Sequence, residues 1–183
     1  YLADPWSGEI EVPIEPQAPV LLLGAGLTAL DVALTLDQQG HSGPVYMLSR
    51  RGVQPLPHRS WRHVDNVAGD VVQALLSSAP TVLSYLRQMR SLVRAAARGD
   101  VDWRDIVGAV RRITAQLWQR LSEAERRRFL RHMQVYWDAH RHRVAPASYA
   151  AFSAQIEQGR LKPMAGRIHG IDVLPGGLSV HIG

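Results

Sequence analysis

Gly24, Gly26 and Ala29 stand at the spacing G-x-G-x-x-A, directly after the apolar run Val20-Leu21-Leu22-Leu23. The chemistry that this spacing permits is the seating of a dinucleotide pyrophosphate. Gly24 allows a tight turn out of a strand, Gly26 lets backbone approach the phosphates, and Ala29 lets the following helix pack closely on the strand. That helix would then direct its first N–H groups and its positive dipole end at the anion. Leu27 and Thr28 complete the turn, and the Thr28 hydroxyl can either donate to a phosphate oxygen or satisfy the helix start. Asp31 is expected in the first helical turn, where the dipole favours a carboxylate, and facing away from the phosphates.

A second group of residues selects the cofactor. Val45-Tyr46-Met47-Leu48 reads as the next strand, and Ser49-Arg50-Arg51-Gly52 follows it, with Ser49 twenty residues beyond Ala29. NAD-binding versions of the fingerprint commonly place Asp or Glu at this point to accept from the ribose 2′-OH. Here no carboxylate stands there to repel a 2′-phosphate, and a guanidinium can grip one through two parallel charge-assisted bonds. Ser49, Arg50 and Arg51 therefore favour NADPH; the alternative is that both arginines are ordinary solvated charges. His58 and Arg59 lie just beyond and can extend the basic rim.

The elements that must position these residues follow from periodicity. Four apolar residues before Gly24 fit a parallel strand buried on both faces. Leu27, Leu30, Ala33, Leu34 and Leu36 repeat at helical spacing until Gly40, which reads as a C′ glycine. His41-Ser42-Gly43-Pro44 supplies the turn into the second strand. Near the end of the chain, Pro146 opens a helix carrying Phe152 and Ile156 and ending at Gly159. Leu161 to Ala165 is a third parallel strand, weakened by Pro163. Arg167 to Leu174 and Leu178 to Ile182 form a β-hairpin around Pro175-Gly176-Gly177. The fold class expected is α/β: a Rossmann-like parallel sheet with a helical insertion over residues 60–143 and a C-terminal β-hairpin, all one domain.

Between Val71 and His140 the pattern is helical almost throughout. Leu83, Leu86, Met89 and Val93 form one apolar stripe; Ile106, Val110, Ile113 and Leu117 form another, capped by Asp102. Ser122-Glu123-Ala124-Glu125 is a capping box for a third helix whose Phe129, Leu130, Met133 and Trp137 face inward. These faces are expected to fold against the sheet or a neighbouring domain.

Composition excludes several classes. The chain has 183 residues and no cysteine, so neither disulfides nor thiolate metal sites are available to it. No apolar run approaches the roughly 20 residues that span a bilayer, and no signal pattern is present, which together favour a cytoplasmic protein with no membrane partner. The net charge is +5, with Lys162 the only lysine. Arg87, Arg90, Arg94 and Arg98 lie opposite an apolar stripe; a solvated helix face accounts for them, and no nucleic-acid partner is expected. His132, His140 and His142 invite a metal, but Arg141 and Arg143 interleave with them and oppose a cation. A basic helix C-terminus, or contact with an anion or another domain, suits that run better. No nucleophile or paired acid and base stands out, so no catalytic residue and no metal site is assigned.

Three segments together carry a resemblance: Gly24 to Ala33, Leu48 to Gly52, and Tyr136-Trp137-Asp138-Ala139-His140-Arg141-His142-Arg143. They look like a bacterial family of FAD/NAD(P)-binding proteins, distantly similar to flavin-containing monooxygenases and amino-acid N-hydroxylases. The resemblance runs from Pro5-Trp6 to the hairpin. It implies that the chain is the NAD(P)H-binding domain, inserted in an FAD-binding domain whose own glycine fingerprint lies elsewhere in the polypeptide. Both chain ends read as cut from something larger, and the isolated chain should not hold FAD tightly. By motif, Gly24, Gly26, Leu27, Thr28 and Ala29 would line the pyrophosphate and Arg50 and Arg51 the 2′-phosphate; Ala29 replaces the usual third glycine. The implied reaction is hydride transfer from NAD(P)H to FAD, with orientation and electrostatics supplied by protein. The alternatives are a non-catalytic dinucleotide sensor and a free-standing NADP-dependent dehydrogenase.

Overall fold

The computed structural model describes residues 14–59, 67–99 and 101–183. The Tyr1 to Trp6 segment and Ser60, the expected start of the insertion, lie outside them. The elements in chain order are β1 (Val20–Leu23), α1 (Leu27–Gln38), β2 (Val45–Ser49), α2 (Ala68–Ser77), α3 (Val82–Arg98), α4 (Trp103–Val110), α5 (Thr114–Arg120), α6 (Glu123–His132), α7 (Gln134–Arg141), α8 (Pro146–Glu157), β3 (Leu161–Ala165), β4 (Ile168–Leu174) and β5 (Gly177–Ile182). The fold is mixed α/β. The chain divides into two compact units, one formed by Tyr1–Pro57 with Arg143–Gly183, the other by His58–His142.

In the first unit, β1, β2 and β3 form a parallel sheet in that spatial order. Val20 pairs with Val45 and Val45 with Leu161, while Leu22 pairs with Met47. Side chains alternate along a strand, so this register places Val20, Leu22, Val45, Met47 and Leu161 on one face. The same core cluster holds Leu30, Ala33 and Leu36 of α1 and Phe152 of α8. Both helices therefore pack on that face. Met47, Leu30, Leu161 and Phe152 are almost wholly buried, each worth about 1.5–3 kcal/mol over the exposed side chain. Pro163 does not prevent β3 from pairing, because among the described residues β3 bonds only to β2, and a proline that lacks an N–H is tolerated on an edge strand.

Both helices of this unit end as their glycines predict. Gly40 has φ +81°, its N–H donates to the Asp37 carbonyl and the His41 N–H to the Leu36 carbonyl, each at 3.0 Å. Gly159, at φ +72°, repeats the pattern onto Ile156 and Gln155. This is the Schellman closure, which satisfies carbonyls that the helix leaves open. β4 and β5 pair antiparallel across Pro175 and Gly176, and Gly176, at φ +87°, takes the left-handed position of the turn.

Among the described residues the second unit holds six helices, where three were expected from the sequence. Val71 and Leu75 of α2, Ile106, Ala109 and Val110 of α4, and Ile113 and Leu117 form a core of their own. The apolar faces thus bury against one another. Asp102 caps α4 as expected, accepting from the Arg104 N–H at 2.8 Å. The stripe from Ile106 to Leu117 is buried, but not as one helix. At Arg111, Arg112 and Ile113 the backbone N–H groups bond three residues back, and the Thr114 hydroxyl donates to the Val110 carbonyl, so α4 and α5 are distinct. The third expected helix is likewise divided at Met133. That break takes Leu130 out of line with Trp137 and leaves it 51% exposed, while Phe129 meets Trp118 edge-on at 5.7 Å between ring centres. Leu83, also expected inside, faces out at 50% exposure. The inner stripe of α3 runs through Tyr85, Met89, Leu92, Val93 and Ala96, which rotates Leu83 away from the core.

Candidate functional site

Because β1, β2 and β3 run parallel, their C-terminal ends share one edge of the sheet, where α/β folds bind ligands. The fingerprint turn leaves β1 at that edge. Gly24 has φ +119°, a conformation that favours glycine, and its N–H donates to the Leu48 carbonyl at 2.8 Å. This bond ties the turn to the end of β2. Ala25 is buried, and Leu27 and Ala29 pack against the core, which fixes the start of α1.

Gly26 is the N-cap of α1 and supplies no side-chain cap. The first helical bond runs from the Leu30 N–H to the Gly26 carbonyl at 3.2 Å. The N–H groups of Leu27, Thr28 and Ala29 precede that bond and have no intrahelical acceptor. A Cβ placed on Gly24 or Gly26 would meet no heavy atom within 4 Å. Among the described residues, space is therefore open beside both glycines. Thr28 is exposed, and its hydroxyl does not cap the helix. The helix begins at Leu27 with no acidic residue in its first turn, which corrects the expectation for Asp31: it stands in the second turn, exposed, beyond the strongest part of the dipole.

The arginine turn follows β2 at the same edge. The Ser49 hydroxyl accepts from the Gly52 N–H at 3.0 Å, and the Ser49 carbonyl accepts from the Gly166 N–H at 3.0 Å. Gly52 has φ +63°, and a Cβ there would come within 3.2 Å of the Ala165 Cβ. A side chain at Gly52 would be both strained and crowded against the end of β3. The tight turn leaves Arg50 and Arg51 exposed. Ser49 thus shapes the turn, while its own O–H stays available to donate. The roles of Gly52 and Gly166 went unassigned from sequence; the glycine directly after Arg50-Arg51 was the local signal for the first, whereas Gly166 depends on a contact between distant strands.

Arg59, read from sequence as able to extend the basic rim, has a carboxylate partner. It forms a two-bonded ion pair with Asp105, one bond at 3.0 Å, in which both side chains are largely buried. His58 is exposed. The capping box is half formed: the Ser122 hydroxyl accepts from the Glu125 N–H at 3.3 Å, but the Glu125 carboxylate accepts from the Val82 N–H at 2.7 Å and pairs with Arg128. Glu125 caps a different helix from its own.

His140 donates from Nδ1–H to the Tyr136 carbonyl at 2.7 Å and lies edge-on to Trp103. His142 stands 3.9 Å from Asp138. Among the described residues no three potential ligands converge on a metal-sized site, and His140 and Arg141 occupy the last turn of α7. Among the described residues no helix is long and apolar enough to cross a membrane.

Comparison with protein-family models, with curated proteins and with solved structures finds no match to this chain. The chemistry of the site therefore rests on its own geometry: backbone donors at an uncapped helix start, open space above two glycines, and an exposed pair of guanidinium groups on the neighbouring strand.

Proposed function

We propose that the first unit binds NADPH and serves as the NAD(P)H-binding domain of a flavin-dependent oxidoreductase. The observation that carries the reading is the open, uncapped N-terminus of α1 at Gly26, set at the same sheet edge as Arg50 and Arg51. The spatial order β1-β2-β3 agrees with one half of a Rossmann sheet, whose first strand-to-helix turn seats the pyrophosphate.

In this reading the Leu27, Thr28 and Ala29 N–H groups bind the pyrophosphate, the dipole of α1 adds to the attraction, and the Thr28 hydroxyl donates to a phosphate oxygen. Arg50 and Arg51 bind the 2′-phosphate, which NADH lacks. The bound dinucleotide supplies a hydride, and the chain's contribution is to hold and orient it. The flavin acceptor rests on the resemblance of Gly24 to Ala33, Leu48 to Gly52 and Tyr136 to Arg143 to FAD/NAD(P)-binding proteins.

Calorimetric titration with NADPH and NADH tests the cofactor assignment. NADPH should bind at least tenfold more tightly, and Arg50→Gln with Arg51→Gln should bring the two affinities together, consistent with about 1.5–3 kcal/mol for hydrogen bonds to charged groups. Equal affinities in the unaltered protein would refute the 2′-phosphate role.

A further inference from the structure

The arginines are unevenly distributed. Residues 58–142 hold 15 of the 20 arginines against 8 acidic residues, a net +7, whereas the rest of the chain carries a net −2. Many of the 15 have structural partners. Arg59 pairs with Asp105 and Arg104 with Asp102; Arg120 donates to the Leu75 and Ser78 carbonyls, and Arg126 to those of Trp118 and Gln119.

Helix α3 carries four that do not. Arg87, Arg90, Arg94 and Arg98 are exposed and have no ion pair or hydrogen bond among the described residues, and α3 contains no Asp or Glu. Their spacing of three, four and four residues sets them in one row. With a rise of about 1.5 Å per residue, the row extends about 16 Å. Like charges three and four apart on a helix repel, and no acid pairs with them among the described residues. Arg111, Arg112 and Arg141 are likewise exposed and without a side-chain partner among the described residues, but α3 sets four such arginines along one helix face.

We propose that this row is a docking surface for a phosphate backbone, specifically that of duplex nucleic acid, bound without sequence preference. A straight row of cations complements a linear polyanion, and guanidinium groups grip phosphates in a two-bonded fork. The other candidates fit less well. The apolar side of α3 is turned into the core through Tyr85, Met89, Leu92 and Val93, so it is not available to insert into a lipid surface. The row carries no aromatic side chain on which single-stranded bases would stack. The proposal is independent of the NADPH reading, because the row and the fingerprint lie in different units.

Fluorescence anisotropy of the whole chain with a labelled 20-base-pair duplex DNA, across 50–200 mM KCl, tests it. Four phosphate contacts predict a slope of about −3.6 in log K against log[KCl], or roughly a 150-fold loss over that range. Arg94→Gln should reduce the slope by about 0.9, and the fourfold Arg87→Gln, Arg90→Gln, Arg94→Gln, Arg98→Gln variant should abolish most binding. Arg50→Gln with Arg51→Gln should leave duplex binding unchanged, which separates this surface from the cofactor site. No binding at 50 mM KCl, unaltered binding by the fourfold variant, or binding to vesicles containing phosphatidylserine without binding to the duplex would each overturn the proposal.

Discussion

At Asp102, burial raises the cost of the charge, but the Arg104 N–H and the guanidinium groups of Arg104 and Arg59 outweigh it and hold the carboxyl below the ordinary aspartate range. A carboxylate with a depressed native pKa stabilises the fold above its unfolded pKa of about 3.9, and that contribution fades as pH falls through the lower native value. Asp102→Ala should therefore cost about 1 kcal/mol in urea denaturation at neutral pH through the lost cap, and the difference from the unaltered protein should shrink below about pH 4. A difference that stays constant down to pH 3 would show that the charge is not what stabilises α4. This cap was legible because donor and acceptor lie two residues apart. The Arg59 pairing with Asp105 was not, because 46 residues separate the partners and neither local pattern names the other.

Among the elements, α1, α8, the three parallel strands and the hairpin could be read from periodicity and from glycines at their ends. Their signals are local: the Schellman turns at Gly40 and Gly159 follow from backbone geometry alone. The helical unit was harder. Apolar spacing continues across the breaks at residues 111–113 and at Met133, so the pattern identified a buried face without revealing where each helix stops. Glu125 shows the same limit, since its motif predicts a bond to its own helix start, yet the carboxylate reaches the first turn of α3. Its buried bond to the Val82 N–H gives a measurable consequence. Glu125→Ala should destabilise the chain by about 1.5–3 kcal/mol, more than Ser122→Ala at about 1 kcal/mol; equal losses would mean that Glu125 acts only within α6.

For the whole molecule, the parallel sheet gathers β-strand ends, an uncapped helix and an arginine turn at one edge, while the excess positive charge is held in the helical unit. The sheet's strand order and its contacts across distant segments, such as Gly166 with Ser49, emerge only once the chain is folded. The central claim is that the space above Gly26 receives a pyrophosphate. Gly26 has an extended backbone (φ −89°, ψ −169°), and a Cβ there would meet nothing within 4 Å among the described residues, so a side chain can be attached without backbone strain. Calorimetric titration of Gly26→Leu with NADPH, beside the unaltered protein, is the most direct test. The account predicts that the unaltered chain binds and that the variant, equally folded by circular dichroism, loses at least a hundredfold in affinity; unchanged affinity in the variant would contradict it.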